Sequence, residues 1–179
     1  MLKPANYDQV TPKDVGEFIR VPGSAVYHCI ITGAEDSQSK ESGANMVVLT
    51  LDIASGEYAN AFKDSQYPPK YYQVVEGNSI EFFKGMITAI EQSNPGYTWD
   101  WNTPGLVNKY CAVAFREKEY RTNDGTIKTI AEPAWIRSLQ ALREGKIPIP
   151  KPKRLAPDSY QSIAQPVQPI LAEEELPWV

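Results

Sequence analysis

The sequence has no long apolar segment. No run of about twenty apolar residues, the length that crosses a bilayer as a helix, occurs in the 179-residue chain. The first residues, Met-Leu-Lys-Pro-Ala-Asn, also lack the apolar centre of a secretory signal. We therefore expect a soluble protein of the cytoplasm, with no membrane partner.

Cysteine and histidine are scarce as well. The chain has two cysteines and one histidine, and it contains neither a CxxC nor an HxxxH spacing. Because Cys29 and Cys111 each lie within an apolar run, they are typical of unreactive core thiols. A zinc site would have to complete its four ligands with carboxylates. We therefore expect no structural metal and no other cofactor.

Motifs for catalysis are also missing. The glycines form no Walker A loop, and His28 lies in an apolar predicted strand without a nucleophile elbow nearby. We expect that the chain is not an enzyme. A metal-dependent nuclease, which needs several convergent carboxylates, stays open as the less favoured alternative. Its acidic residues would be Asp52, Glu57, Asp100 and Glu144, the last in a Glu-x-Lys spacing with Lys146.

Runs of β-branched and apolar residues, bounded by turn residues, predict a mainly β domain. The predicted strands cover residues 25–33, 46–53, 57–62, 109–121 and 126–131. The polar residues 35–45 predict a long exposed loop between the first two strands. Asn123-Asp124-Gly125 predicts a tight turn between the last two.

Two helices are predicted. The first begins at Asn78, which with Glu81 suits a capping box, and it ends at residues 94–96, Asn-Pro-Gly. Its apolar stripe consists of Ile80, Phe83, Ile87 and Ile90. The second is a short helix that opens at Glu132-Pro133 and ends at Gly145. Three strands, a helix and two strands follow the order of an OB-fold, a five-stranded β-barrel.

The composition changes near residue 148. Seven of the fifteen prolines lie from Pro148 onward, among Gln, Ser and Ala, and this segment has too few apolar side chains to offset the entropy of ordering. The last seven residues instead combine acidic side chains with an apolar-Pro-aromatic end. We therefore divide the chain into an OB-like domain (1–147), a disordered Pro-rich linker (148–172) and an acidic-aromatic tip (173–179).

The tip suits a basic-rimmed apolar pocket on a partner protein, because such a pocket can hold both its charge and its aromatic ring. The candidate partner-binding residues are Glu173, Glu174, Glu175, Leu176, Pro177, Trp178 and Val179.

The net charge of -4 argues against a broad phosphate-binding surface, so a nucleic-acid site would have to be a local patch. With a period of two, one face of the fourth strand carries two small residues followed by basic and aromatic ones. Small residues let bases approach, aromatic rings stack on them and cations contact phosphates. The candidates in this strand are Tyr110, Ala112, Ala114, Arg116, Lys118, Tyr120 and the adjoining Arg121.

Loops supply a second set of candidates, because loop aromatics beside lysines suit the capture of single strands. These residues are Lys40, Phe62, Lys63, Lys70, Tyr71, Tyr72, Trp99 and Trp101. The alternative is that the aromatic side chains cover the core, and for at least one of the two tryptophans we expect this.

The chain resembles two groups of proteins. Its tip resembles the acidic C-terminal tip of bacterial single-stranded-DNA-binding proteins and of their phage counterparts, although Trp178 replaces the usual Phe and Val179 follows it. The body resembles a phage or prophage family found among replication and recombination genes. The similar stretch, from Val26 to Pro150, includes Tyr27, 39–43, 47–56, Glu119-Tyr120, Asp124-Gly125 and 143–146.

The resemblance implies sequence-independent binding of single-stranded DNA, with replication or recombination proteins recruited through the tip in the host cytoplasm. The main alternative is an adaptor or inhibitor that binds proteins through its aromatic residues and has no affinity for DNA. The sequence leaves homo-oligomer formation open.

Overall fold

The structure is a computed structural model that describes residues 21–156. The predicted tip and most of the predicted linker lie outside this range. The described chain is mainly β, with the elements that follow.

Five strands form one antiparallel sheet. They are β1 (Ala25–Gln38), β2 (Asn45–Ile53), β3 (Lys70–Val74), β4 (Tyr110–Arg121) and β5 (Ile127–Arg137), in the sheet order β3-β2-β1-β4-β5. Helix α1 (Ile80–Ser93) lies between β3 and β4 in the chain, and a short helix α2 (Leu139–Arg143) follows β5. The predicted mainly β class, the number of strands and the helix between the third and fourth strands are therefore confirmed.

The core lies between α1 and one face of the sheet. Alternate residues of the central strands point into it and are fully buried, as Cys29, Leu49 and Phe115 illustrate. The helix contributes its buried side chains Phe83, Met86, Ile87 and Ile90. Both cysteines belong to this core, where burial raises the pKa of the Cys111 thiol to about 12.

The predicted third strand is misplaced. Residues 57–62 form turns instead, because backbone N–H groups there donate to nearby carbonyls and Phe62 N–H donates to the buried Asp52 carboxylate at 3.0 Å. Asn60 also has a positive φ of 59°, which interrupts an extended strand. The third strand of the sheet is instead β3. Its first residues, Lys70, Tyr71 and Tyr72, were predicted to lie in a loop.

The fifth strand is longer than predicted. It continues through Glu132-Pro133, where we predicted a helix, and ends at Arg137. Proline is tolerated there because the β4–β5 register shifts between Ala114 and Phe115, which leaves a bulge in the ladder. Only the last part of the predicted second helix is helical.

The ends of two other elements also differ. Strand β1 extends to Gln38, so the predicted long loop shortens to residues 39–44. Helix α1 begins after Ser79, whose side chain makes no capping bond, and Asn78 lies in a preceding 3₁₀ turn. The predicted capping box is therefore wrong, although the end of the helix before Asn94 is as predicted.

The beginning of the predicted linker packs on β4. Lys153 N–H donates to the backbone carbonyl of Glu117 at 2.7 Å, and the Lys153 carbonyl accepts from Glu119 N–H at 2.9 Å. The Arg154 guanidinium bonds both glutamate carboxylates at 3.0 Å. The reason is that β1 pairs with β4 only as far as Phe115, so the next residues of β4 offer unpaired backbone groups. The first residues of the predicted linker, as far as Leu155, therefore contact the folded domain.

Candidate nucleic-acid interface

The face of β4 that was predicted to bind DNA is not open to a bound base. Its alternation is as expected, with Cys111, Val113 and Phe115 in the core. However, Ala112 and Ala114 on the opposite face are also fully buried. The register places each alanine between larger residues of β1 and β5, such as Val26 and Trp135 beside Ala114. A base cannot approach these two alanines, so this part of the prediction is wrong.

The cations of β4 already have a partner. Arg116 bonds the Glu132 carboxylate at 2.9 Å and Lys118 bonds it at 2.7 Å. Burial raises the pKa of Glu132, but hydrogen bonds from Lys118 and Arg116 outweigh it and leave this pKa below its ordinary value. Part of the positive charge expected for phosphate is therefore neutralised within the sheet.

The remaining β4 candidates lie at its two ends. Tyr110 is exposed and its ring lies 5.3 Å from that of His28. Tyr120 and Arg121 are half-buried beside the β4–β5 turn. These ends are too far along the strand to act as one stacking surface, because about ten residues of strand separate them by roughly 33 Å.

A better-formed surface lies around β3. Tyr67 and Tyr72 expose 82% and 60% of their surface, and Lys63 and Lys70 are exposed beside them in the chain. Within residues 21–156, Lys70 forms an ion pair only with the exposed Glu35, at 3.5 Å, and Lys63 forms none. We call these four residues the basic aromatic surface.

The fold fixes the chain that carries this surface. The buried Asp52 carboxylate accepts hydrogen bonds from Ile53 N–H at 2.8 Å and Phe62 N–H at 3.0 Å, which holds the turns after β2. Farther on, Pro68 and Pro69 stiffen the approach to β3, and the Pro69 carbonyl accepts from Leu51 N–H at 3.0 Å. Tyr67 is therefore presented by a restrained segment.

Two neighbouring candidates are not part of this surface. Phe62 packs against the core. Tyr71 is also packed against it, and its hydroxyl donates to Gln73 at 3.0 Å, while burial raises its pKa. Lys40 is exposed in the β1–β2 loop.

The two tryptophans form a different surface. Trp99 packs against the core, as expected for at least one of them, and Trp101 exposes 79% of its surface beside it. Phe82 and Ile80, in the first turn of α1, expose 71% and 53%. The Trp101 ring lies 6.3 Å from the ring of Phe83, so the loop at Trp101 adjoins the first turn of α1. We call Ile80, Phe82 and Trp101, together with the exposed carboxylates Glu81 and Asp100, the acidic aromatic surface.

No protein-family model and no curated protein matches this sequence. The assignment of a site therefore depends on the geometry alone. Within residues 21–156, no helix is long and apolar enough to cross a bilayer, and no three His, Cys, Asp or Glu side chains come together as metal ligands. Glu144, one of the nuclease candidates, forms an ion pair with Lys146 at 2.6 Å.

Sequence reasoning missed Trp135 and Arg137. Both lie on the same face of β5, with the guanidinium 6.0 Å from the centre of the indole ring. The helix that the sequence predicts from Glu132-Pro133 to Gly145 would instead put Trp135 on a helix. If the alternation of a strand is continued past Pro133, Ile136 points into the core. Trp135 and Arg137 then both lie on the opposite, outer face of the sheet.

Proposed function

We propose that this protein binds single-stranded DNA without reading its sequence, through the basic aromatic surface. The observation that carries the proposal is the joint exposure of Tyr67 and Tyr72 next to Lys63 and Lys70. Every base offers a π-face on which a tyrosine can stack, and lysines attract the backbone whatever the sequence. Binding of this kind needs no catalytic residue.

The fold supports the choice of this surface. The order β3-β2-β1-β4-β5, together with edge strands β3 and β5 that approach within 8 Å between Cα atoms, is consistent with a partly open OB-type barrel. OB-folds bind oligonucleotides on the face of strands 2 and 3 and with the loops beside it. Tyr72 and Lys70 lie on strand 3, opposite Val48 and Thr50 of strand 2, and Lys40 lies in the loop between the first two strands.

The wider role follows from the resemblance. We propose that the chain acts in phage DNA replication or recombination in the host cytoplasm, and that residues 173–179 recruit partner enzymes. Arg154 and Lys153 hold the chain on β4 up to Leu155.

The test is fluorescence anisotropy of labelled oligo-dT, about thirty nucleotides long, at low and high salt, beside duplex of equal length. We expect tight binding to the single strand, weakened by salt and much poorer for duplex. Replacing Lys63 and Lys70 by alanine should weaken binding and reduce the slope of log affinity against log salt by about 0.7 per lysine.

The matched control is Lys84→Ala, which removes an exposed lysine on α1 outside this surface. It should leave affinity and salt slope unchanged. If the wild-type protein does not bind the single strand even at low salt, the proposal fails and the adaptor alternative takes its place.

A further inference from the structure

The acidic aromatic surface is the largest apolar exposure that the proposed function does not use. Ile80, Phe82 and Trp101 together leave roughly 400 Å² of apolar side-chain surface in water. Apolar exposure of this size on a soluble domain is often functional.

The exposure of Trp101 is imposed by the fold. Its φ of 66° lies in the left-handed region, which is unfavourable for a bulky residue and persists only where the surroundings hold it. Its ring lies 6.0 Å from that of Trp99 and 6.3 Å from that of Phe83. Two residues on, the buried Thr103 hydroxyl donates to Asp36 of β1 at 2.7 Å. The ring is therefore presented on a fixed loop.

The charge around this surface is mainly negative. Its two segments, residues 76–83 and 97–103, contain the exposed Glu76, Glu81 and Asp100, whereas the nearby cations are Lys84, which follows the first segment, and Lys109, which lies 4.7 Å from the centre of the Tyr97 ring. Carboxylates repel phosphates, so these rings are poorly suited to nucleic acid. The surface suits a partner that combines an apolar side chain with cations.

The same chain has a surface of that kind on its β4–β5 hairpin. Ile130 is exposed, is paired across the strands with Lys118, and shares its face of β5 with Lys128, which is paired with Tyr120. Lys128 has no ion pair within residues 21–156. On the face of the hairpin that carries Ile130, three cations, Arg116, Lys118 and Lys128, outnumber the one acid, Glu132, which binds the first two. We call Lys118, Tyr120, Lys128 and Ile130 the hairpin patch.

We propose that a second copy of this chain docks its hairpin patch on the acidic aromatic surface. The apolar side chains of Ile130 and Tyr120 would cover Trp101 and Phe82, and Lys128 would face Glu81 and Asp100. Because the two surfaces differ, the contact is head to tail and each copy keeps one surface free, so chains of copies form. The contact does not require DNA and leaves the basic aromatic surface open.

The experiment is sedimentation velocity of the full chain without DNA. The wild type should associate increasingly with concentration. A Glu81→Lys/Asp100→Lys variant and a Lys128→Glu variant should each stay monomeric, because each one places like charges at the contact. An equimolar mixture of the two should regain concentration-dependent association as alternating copies, because the native Lys128 of the first variant meets the native carboxylates of the second and the lysines of the first meet the glutamate of the second.

Three further proteins make the result decisive. Trp101→Asn, in which Asn tolerates the positive φ, should lose association while retaining the fold by circular dichroism. Lys146→Glu, an exposed charge reversal elsewhere, should associate like the wild type. A chain without residues 173–179 should also associate, because the tip is not the docking element.

The proposal is overturned if the wild type stays monomeric at the highest concentration it reaches, or if the mixed variants remain monomers. Loss of association in the truncated chain would also overturn it. That result would mean that residues 173–179, and not the acidic aromatic surface, bind the hairpin patch. None of these outcomes bears on single-strand binding, which is measured separately with short oligonucleotides.

Discussion

The basic and acidic aromatic surfaces expose rings to a similar degree but differ in charge. Tyr67 and Tyr72 lie in a segment with two lysines and one acid, Asp64, whereas Phe82 and Trp101 are flanked by the carboxylates Glu81 and Asp100, with Lys84 as the nearest cation in the chain. At an ionic strength of about 0.1 M, charges act over about 10 Å, so the groups next to each ring decide what can approach it. Ring exposure identifies a contact surface, and the adjacent charges identify the kind of partner.

The two surfaces also differ in how the backbone supports them. Tyr72 lies in a regular strand, paired with Val48 of β2. Trp101 lies in a loop with a left-handed backbone, held to β1 through Thr103. A strand offers evenly spaced contacts along an extended ligand, whereas a single fixed ring suits one pocket or one opposing side chain.

The largest expected effect is a loss of DNA affinity when the tyrosines are removed. Stacking on one aromatic side chain contributes roughly 1–3 kcal/mol per base, so a Tyr67→Ala/Tyr72→Ala variant should bind far more weakly, by about two orders of magnitude or more. The measurement is anisotropy with an oligo-dT of about twelve nucleotides, short enough to hold a single protein.

The control for this prediction is Trp101→Asn, which removes a ring of the other surface. It should bind the same short oligonucleotide as tightly as the wild type does. If Trp101→Asn loses as much affinity as the tyrosine variant, the distinction between the two surfaces is wrong and both belong to one DNA site.

Much of the fold could be predicted from the sequence because it depends on local patterns. Strands β1, β2 and β4 and helix α1 follow from runs of apolar residues and from the turn residues that bound them. Strand β3 and the end of β5 could not be predicted in this way. Pro68-Pro69 and Pro133 normally argue against a strand, and only the pairing with neighbouring strands shows that each is tolerated.

The candidate site was harder to predict, because charges and exposure depend on contacts between distant residues. Arg116 and Lys118 look free in the sequence, but Glu132 of the next strand binds both. Ala112 and Ala114 look accessible because they are small, and they are buried because their neighbours are large. Tyr71 and Tyr72 are adjacent in the sequence, yet they point to opposite faces of β3, so Tyr72 is exposed whereas Tyr71 is partly buried.

A smaller effect is expected when the loop of the acidic aromatic surface is loosened. Thr103→Val removes the charge-assisted bond to Asp36 and should lower the free energy of unfolding by about 1–2 kcal/mol, measured by urea denaturation. Thr98→Val, on an exposed position of the same loop, should change it little. DNA affinity for the short oligonucleotide should be unaffected, and a loss of it would show that this loop supports DNA binding after all.

The smallest effect concerns His28, which lies on β1 outside both surfaces. Burial lowers the pKa of His28, because its Nε2 is enclosed without a partner among the described residues while Nδ1 bonds Ser55 at 2.8 Å. The unfolded chain therefore takes up this proton first, and stability should fall as the pH drops below about 6.5. His28→Gln should remove that part of the pH dependence in urea denaturation at pH 7 and pH 5.5, and should leave DNA binding at pH 7 unchanged. An unaltered pH dependence in the variant would mean that other groups cause it, and altered DNA binding would place His28 within the DNA site and extend that site across the sheet.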